Sequence, residues 1–188
     1  MTRSPRSSLV PFTLLTLLLG SGARCAVPNA QGPGRPLPSY AGRSLELFDD
    51  TIEPAAAGIA LDVGDDPRAD RKLRERTQVG DAALRVRIAT VTSKDDDGVT
   101  RYVVGLRTVE RLAGSFPPGD NFEIRVGRNS PSSGLLKGLG DQLAGKPFVG
   151  FFRLFVRPDG DPELHFHLAP DTKLELAAVR DAAALGSL

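Results

Sequence analysis

The chain has 188 residues and a mass of 20.0 kDa, with 40% hydrophobic and 25% charged residues, the composition of one globular domain with appendages. A single cysteine excludes an internal disulfide scaffold. Twenty-four basic against 23 acidic residues leave no global field for nucleic acid, and 6% aromatics without tryptophan leave little for a stacking platform, so nucleic acid is not expected as a partner.

At the start, Arg3 and Arg6 precede an apolar run over residues 9–19. This is the pattern of a signal peptide over residues 1–23, with Ser21-Gly22-Ala23 as a small-x-small site for cleavage after Ala23. The run holds Pro11 and is about half the ~20 residues that span a bilayer, which disfavours a permanent transmembrane helix. Cys25 stands where a bacterial lipoprotein carries its acylated cysteine. The preceding Gly22-Ala23-Arg24 resembles a lipobox only in part, since that pattern has a large aliphatic residue at the first position and a small one at the last. The expectation is export to the periplasm or the extracellular space, with a lipoprotein anchored through Cys25 as the second reading. Arginine far outnumbers lysine and Ala, Gly and Pro abound, which points to a high-GC bacterial genome.

Residues 24–43 are rich in Pro and Gly and read as a flexible tether. In the segment 44–80, Leu45, Leu47, Phe48 and Ile52 can dock as a short amphipathic stretch. Asp66-Pro67 then predicts a polar helix over 68–78, with Asp66 as N-cap and Pro67 at the first position. The main domain spans 81–188. Period-two alternation predicts a strand over 83–93, with Leu84, Val86, Ile88 and Thr90 on one face and Arg85 and Arg87 on the other. A hairpin over 94–98 leads to strands over 100–112 and 121–127. Leu135, Leu136, Leu139 and Leu143 predict a Gly-weakened helix within 129–145. The run 146–157, with Phe148, Val149, Phe151, Phe152, Leu154 and Phe155, predicts a central strand covered on both faces, with Phe148, Phe152 and Leu154 in the core. A fifth strand over 163–169 and a C-terminal helix with Thr172 and Glu175 at capping-box spacing complete the chain.

Five strands with a helix between the third and fourth resemble, in element order, the oligonucleotide/oligosaccharide-binding barrel. The fold class expected is therefore mainly β, a five-stranded antiparallel barrel with a short helix and a C-terminal helix. A narrower likeness lies in the run 86–112, in Val109-Glu110-x-Leu112-x-Gly114 and in Lys146-Pro147-Phe148. These resemble repeated β-domains of uncharacterised exported bacterial proteins, including predicted lipoproteins of myxobacteria. The likeness implies export and a β-domain, and carries no activity.

Two side-chain sets carry candidate chemistry. Glu163, His165 and His167 recur at i, i+2 and i+4 and so share a strand face, with same-side neighbours about 6.6 Å apart, close enough for two imidazoles to share a metal. The chain has no further histidine to complete such a site, so no metal and no other cofactor is expected. Arg85, Arg87, Arg101, Arg107, Arg111 and Arg125 fall on outward strand positions and form a candidate ligand surface for an anion or polysaccharide, with Arg101, Arg107 and Arg111 assigned to one face of the second strand. Gly-x-Ser-x-Gly, a Cys/His pair, a Walker loop and a calcium loop are all missing. The function expected is an exported, non-catalytic binding or structural module of the cell envelope, its partner an envelope protein or polysaccharide. A metal-binding protein or small metal-dependent enzyme on the Glu163/His165/His167 face is the alternative.

Overall fold

A computed structural model describes residues 36–59, 66–96, 99–117 and 119–186. The expected signal peptide, Cys25 and most of the tether lie outside the described residues. Strands β1 (Thr51–Ile52), β2 (Ala82–Asp96), β3 (Val99–Gly114), β4 (Asn121–Val126), β5 (Pro147–Val156) and β6 (Pro162–Pro170) form one sheet in the order β1-β6-β5-β2-β3-β4. The sheet curls into a half-barrel. Mainly β architecture is thus found, but the five-stranded antiparallel barrel is not. The sheet has six strands and is mixed, because β1 pairs parallel to β6 through Thr51 with His167 and Ile52 with Leu168. That short strand takes the edge of β6 on which a barrel would close, and among the described residues β4 and β6 share no ladder.

β5 is interior and buries both faces, as its unbroken apolar run requires. Toward the concave side, Phe148, Phe152 and Leu154 pack with Leu84, Val86 and Ile88 of β2 and Phe166 and Leu168 of β6. Toward the convex side, Val149, Phe151 and Phe155 pack under three helices, α1 (Arg43–Leu47), α2 (Arg71–Val79) and α4 (Lys173–Gly186), through Leu47, Leu73 and Val179. Burial of each such side chain stabilises the fold by roughly 1.5–3 kcal/mol. Gly150 makes room in this core, since a Cβ there would come within 2.6 Å of the Phe152 ring and 2.9 Å of Leu168.

Three local expectations are corrected. Helix α2 starts at Arg71 with Asp70 as its N-cap, Oδ1 accepting from Lys72 N at 2.7 Å, whereas Asp66-Pro67 forms the turn before it, with Ala69 N donating to Asp66 O at 2.8 Å. Asp70 prevails because a carboxylate two residues ahead of a free N–H satisfies it directly, while the turn already uses Asp66. Second, an extra residue at Ala89 shifts the register of β2, from Ile88 opposite Leu106 to Thr90 opposite Gly105. Thr90 therefore leaves the Leu84/Val86/Ile88 face for solvent, and Val91 takes its place beside the core. Third, similar shifts on β3 flank Glu110 and reverse the faces beyond Arg107, which separates Arg111 from Arg101 and Arg107. The predicted cap of α4 does form, with Glu175 N donating to Thr172 Oγ1 at 3.0 Å. Helix α3 (Ser132–Leu143) lies between β4 and β5. No helix among the described residues is long and apolar enough to cross a membrane.

Candidate functional site

On β6, Leu164, Phe166 and Leu168 face the concave core, so Glu163, His165 and His167 project from the convex face. Both histidines are buried, at 7% and 4% exposure. What covers them is the stretch from Tyr40 to Glu53. The Tyr40 ring stacks on His165 at 3.5 Å between centroids and 14° between planes, and Tyr40 Oη donates to Phe48 O at 2.6 Å. Asp50 Oδ2 lies 2.9 Å from His165 Nδ1, Asp49 Oδ1 lies 2.9 Å from His167 Nδ1, and Glu53 Oε1 lies 2.8 Å from His167 Nε2. Asp50 adopts a φ of 55°, in the left-handed region. Its backbone is held there by Ser130 and Ser132, whose hydroxyls donate to its carbonyl at 2.8 and 2.6 Å. Its other carboxylate oxygen accepts from Phe166 N at 3.2 Å.

Ionised carboxylates only accept hydrogen bonds, so each line from a ring nitrogen to an oxygen needs one proton. His167 therefore sits as an imidazolium between two carboxylates, or as a neutral ring with the second proton on a carboxyl. His165 has Nδ1 engaged by Asp50, while its buried Nε2 has no hydrogen-bond partner; the nearest carboxylate oxygen is Oε2 of Glu163 at 3.6 Å. Burial raises the Asp49 carboxyl, but the hydrogen bond and charge of His167, with Thr51 and Arg76, outweigh it and hold the group below its ordinary value. Burial, then the neighbouring Glu53 and Asp70, push the Glu175 carboxyl up to about 7. Burial and the charges of Asp50, Asp49 and Glu163 push the Tyr40 phenol up to about 12. Burial lowers the Arg76 guanidinium, whose Nε donates to Leu47 O at 2.7 Å.

Glu163, His165 and His167 do share a face, yet they do not converge on one point. Both nitrogens of His167 are engaged, and among the described residues no group of three or more His, Cys, Asp or Glu side chains is arranged to hold a metal ion.

The arginines lie on the same convex face, toward its other end. Arg85 makes a two-pronged pair with Asp171, Nε to Oδ1 at 2.9 Å and an Nη to Oδ2 at 2.7 Å. Arg87 and Arg107 stand directly opposite each other on β2 and β3, as do Lys94 and Arg101, while Arg125 of β4 stands opposite Val103. Among the described residues no carboxylate pairs with Arg87, Arg107 or Arg125; Arg87 donates only to Gly145 O, at 3.3 Å. Arg111 does not belong to this surface. It stands opposite the core residue Leu84 and donates to the carbonyls of Phe116 and Pro117, at 2.8 Å each, so it ties down the turn after β3.

Sequence reasoning missed Tyr40, Asp49, Asp50 and Glu53. Their only signal is the acidic pair after Phe48, in a segment whose two-residue strand is too short to show a period. Comparison with protein-family models, with curated proteins and with solved structures finds no match for this chain.

Proposed function

We propose that the chain is an exported, non-catalytic binding module of the bacterial cell envelope, and that the convex face of β2, β3 and β4 is the surface that meets an acidic envelope polysaccharide. Export rests on the basic start and apolar run of residues 1–23 and on the likeness to exported β-domains. A lipid anchor at Cys25 is the variant of this reading that keeps the module at the membrane. The helix between β4 and β5 and the adjacency β6-β5-β2-β3-β4 support reading the half-barrel as an opened relative of the oligonucleotide/oligosaccharide-binding arrangement.

One observation carries the choice of surface. Arg87 and Arg107 are cross-strand neighbours of like charge without a carboxylate between them, an arrangement that disfavours the folded sheet and that a bound polyanion relieves. The test has two arms. Mass spectrometry of the protein from its native cells is expected to find a terminus in the region of Ala23 to Cys25, free or acylated; intact residues 1–19 in the cytosol would overturn export. Polygalacturonate, a carboxylated polysaccharide, is expected to bind with strong salt dependence and to lose at least tenfold in affinity for the Arg87→Ser/Arg107→Ser double variant. Equal affinity in the variant would remove this face from the reading.

A further inference from the structure

We propose that the groove between α3 and the β2–β3 hairpin is a second binding site, built for a saccharide ring without net charge. It goes beyond the arginine face and does not rest on it. The groove is open to solvent, has a volume of about 460 Å³ and lies on the concave side of the hairpin whose other side carries Lys94 and Arg101. That volume is within the range of small-ligand sites, which favour the mouths of barrels.

Three features of the sequence build it. The extra residue at Ala89 turns Val91, Ser93 and Asp95 from the convex to the concave side, where Val91 faces Val104 and Ser93 faces Tyr102. Uninterrupted alternation would have pointed all three outward, and re-aiming side chains is what such bulges do. Gly140 then lets the helix come down onto the strand, since a Cβ there would stand 3.2 Å from Val91 Cγ1. Gly138, also on the groove wall, has nothing within 4 Å of where its Cβ would be. With no side chain at either position, this stretch of the helix puts nothing bulky beside the groove.

The chemistry of the lining selects the ligand. Ser93, Tyr102, Lys137, Asp141 and Gln142 line the groove, and among the described residues none of these side chains has a hydrogen-bond partner. Tyr102 is only 9% exposed, yet its hydroxyl is not among the buried unpartnered atoms, so the ring is in the core and the hydroxyl opens to the groove. One ammonium, two carboxylates (Asp95 and Asp141), hydroxyls and an amide place donors and acceptors side by side, which suits hydroxyl groups that do both. Val91, Leu136 and Leu139 supply an aliphatic floor for the C–H face of a ring. A polyanion would meet two carboxylates against one lysine, and an apolar ligand would strand the polar groups.

The test is an amide NMR titration of the full chain with N-acetylglucosamine and with its β-1,4-linked dimer. Shifts are expected in residues 91–102 and 136–142, with a dissociation constant on the order of 1 mM for one ring. Ser93→Phe fills the groove from an exposed strand position that faces Tyr102, so it is expected to keep the melting temperature and abolish the shifts. Asp141→Asn is expected to weaken binding about fivefold. No shifts with either sugar, or undiminished binding in the Ser93→Phe variant, would overturn the site. Shifts confined to the Arg87/Arg107 face would overturn it too while leaving the arginine reading in place, and displacement of the sugar by polygalacturonate would refute the uncharged ligand.

Discussion

The convex face of one sheet carries two polar clusters, joined by rows of residues that run across the strands between them. Along one such row His167 stands beside Phe151, Phe151 beside Ala83 and Ala83 beside Ala113. At the β6 end, the segment Tyr40 to Glu53 lies over the histidines and gives His165 one carboxylate partner and His167 two. At the β2–β4 end, Arg85 is paired with Asp171, but among the described residues no carboxylate pairs with Arg87, Arg107 or Arg125, and Arg87 and Arg107 oppose each other. Burial explains the difference in what each end can tolerate. A buried ionic group must be satisfied within the fold, because removing its partner leaves a charge without water. An exposed one is satisfied by solvent, and is left available for a partner of opposite charge. The histidine end therefore holds the molecule together, and the arginine end is where it can be met from outside.

The core beneath both clusters sets the scale for breaking this comparison. Phe152→Ala is expected to cost about 3–5 kcal/mol in denaturant titration, through the cavity it leaves among Phe122, Phe148 and Leu168. Next comes His167→Ala, which leaves Asp49 and Glu53 facing each other. A loss of about 2–3 kcal/mol is expected, less than for a fully buried pair because these carboxylates keep 35% and 37% of their side-chain exposure. If His167→Ala costs no more than a surface substitution, the contrast between the two ends fails.

The core strand was legible in the sequence, and the covering of the histidines was not. β5 reads as buried on both sides because seven of its ten residues are buried and no charge other than Arg153 interrupts it. The histidine face was legible as spacing alone. Its carboxylates come from positions 114 to 118 residues away in the chain, and no local periodicity reaches that far. Ala89 and Thr90 both fit an alternating strand, so the bulge that exposes Thr90 and re-aims Val91 leaves no mark on the pattern. The same holds for Arg111, whose face was set by register shifts that depend on the partner strand.

pH sharpens the comparison at the histidine end. Glu175 is protonated more readily in the folded chain, with its group pushed up to about 7 from an ordinary value of 4.5. Its contribution to stability is therefore complete below about pH 4.5 and is lost as pH rises through about 7. Glu175→Gln is expected to match the parent melting temperature near the lower limit and exceed it above the upper one. Asp49 acts with the opposite sign, since its lowered group favours the fold above its ordinary value and loses that effect in acid. The smallest effect is expected at the arginine end. Arg107→Glu places opposite charges across from Arg87 and should raise stability by about 0.5 kcal/mol, while abolishing polygalacturonate binding. A large loss of stability in this variant would show that the arginine row is structural after all.

Asp50 has one more consequence, and it concerns time. Its contacts reach forward 80 residues to Ser130, 82 to Ser132 and 115 to His165, so nothing that fixes its left-handed backbone exists when the ribosome has made only the first third of the chain. Closing loops of that length is slow compared with forming the β2–β3 hairpin, whose strands are adjacent in sequence. The first described segment to be synthesised is thus expected to dock late, after α3 and β6 have formed. In a refolding experiment, Tyr40 and Asp50 substitutions should speed unfolding and leave the folding rate almost unchanged, whereas substitutions in the hairpin should slow folding.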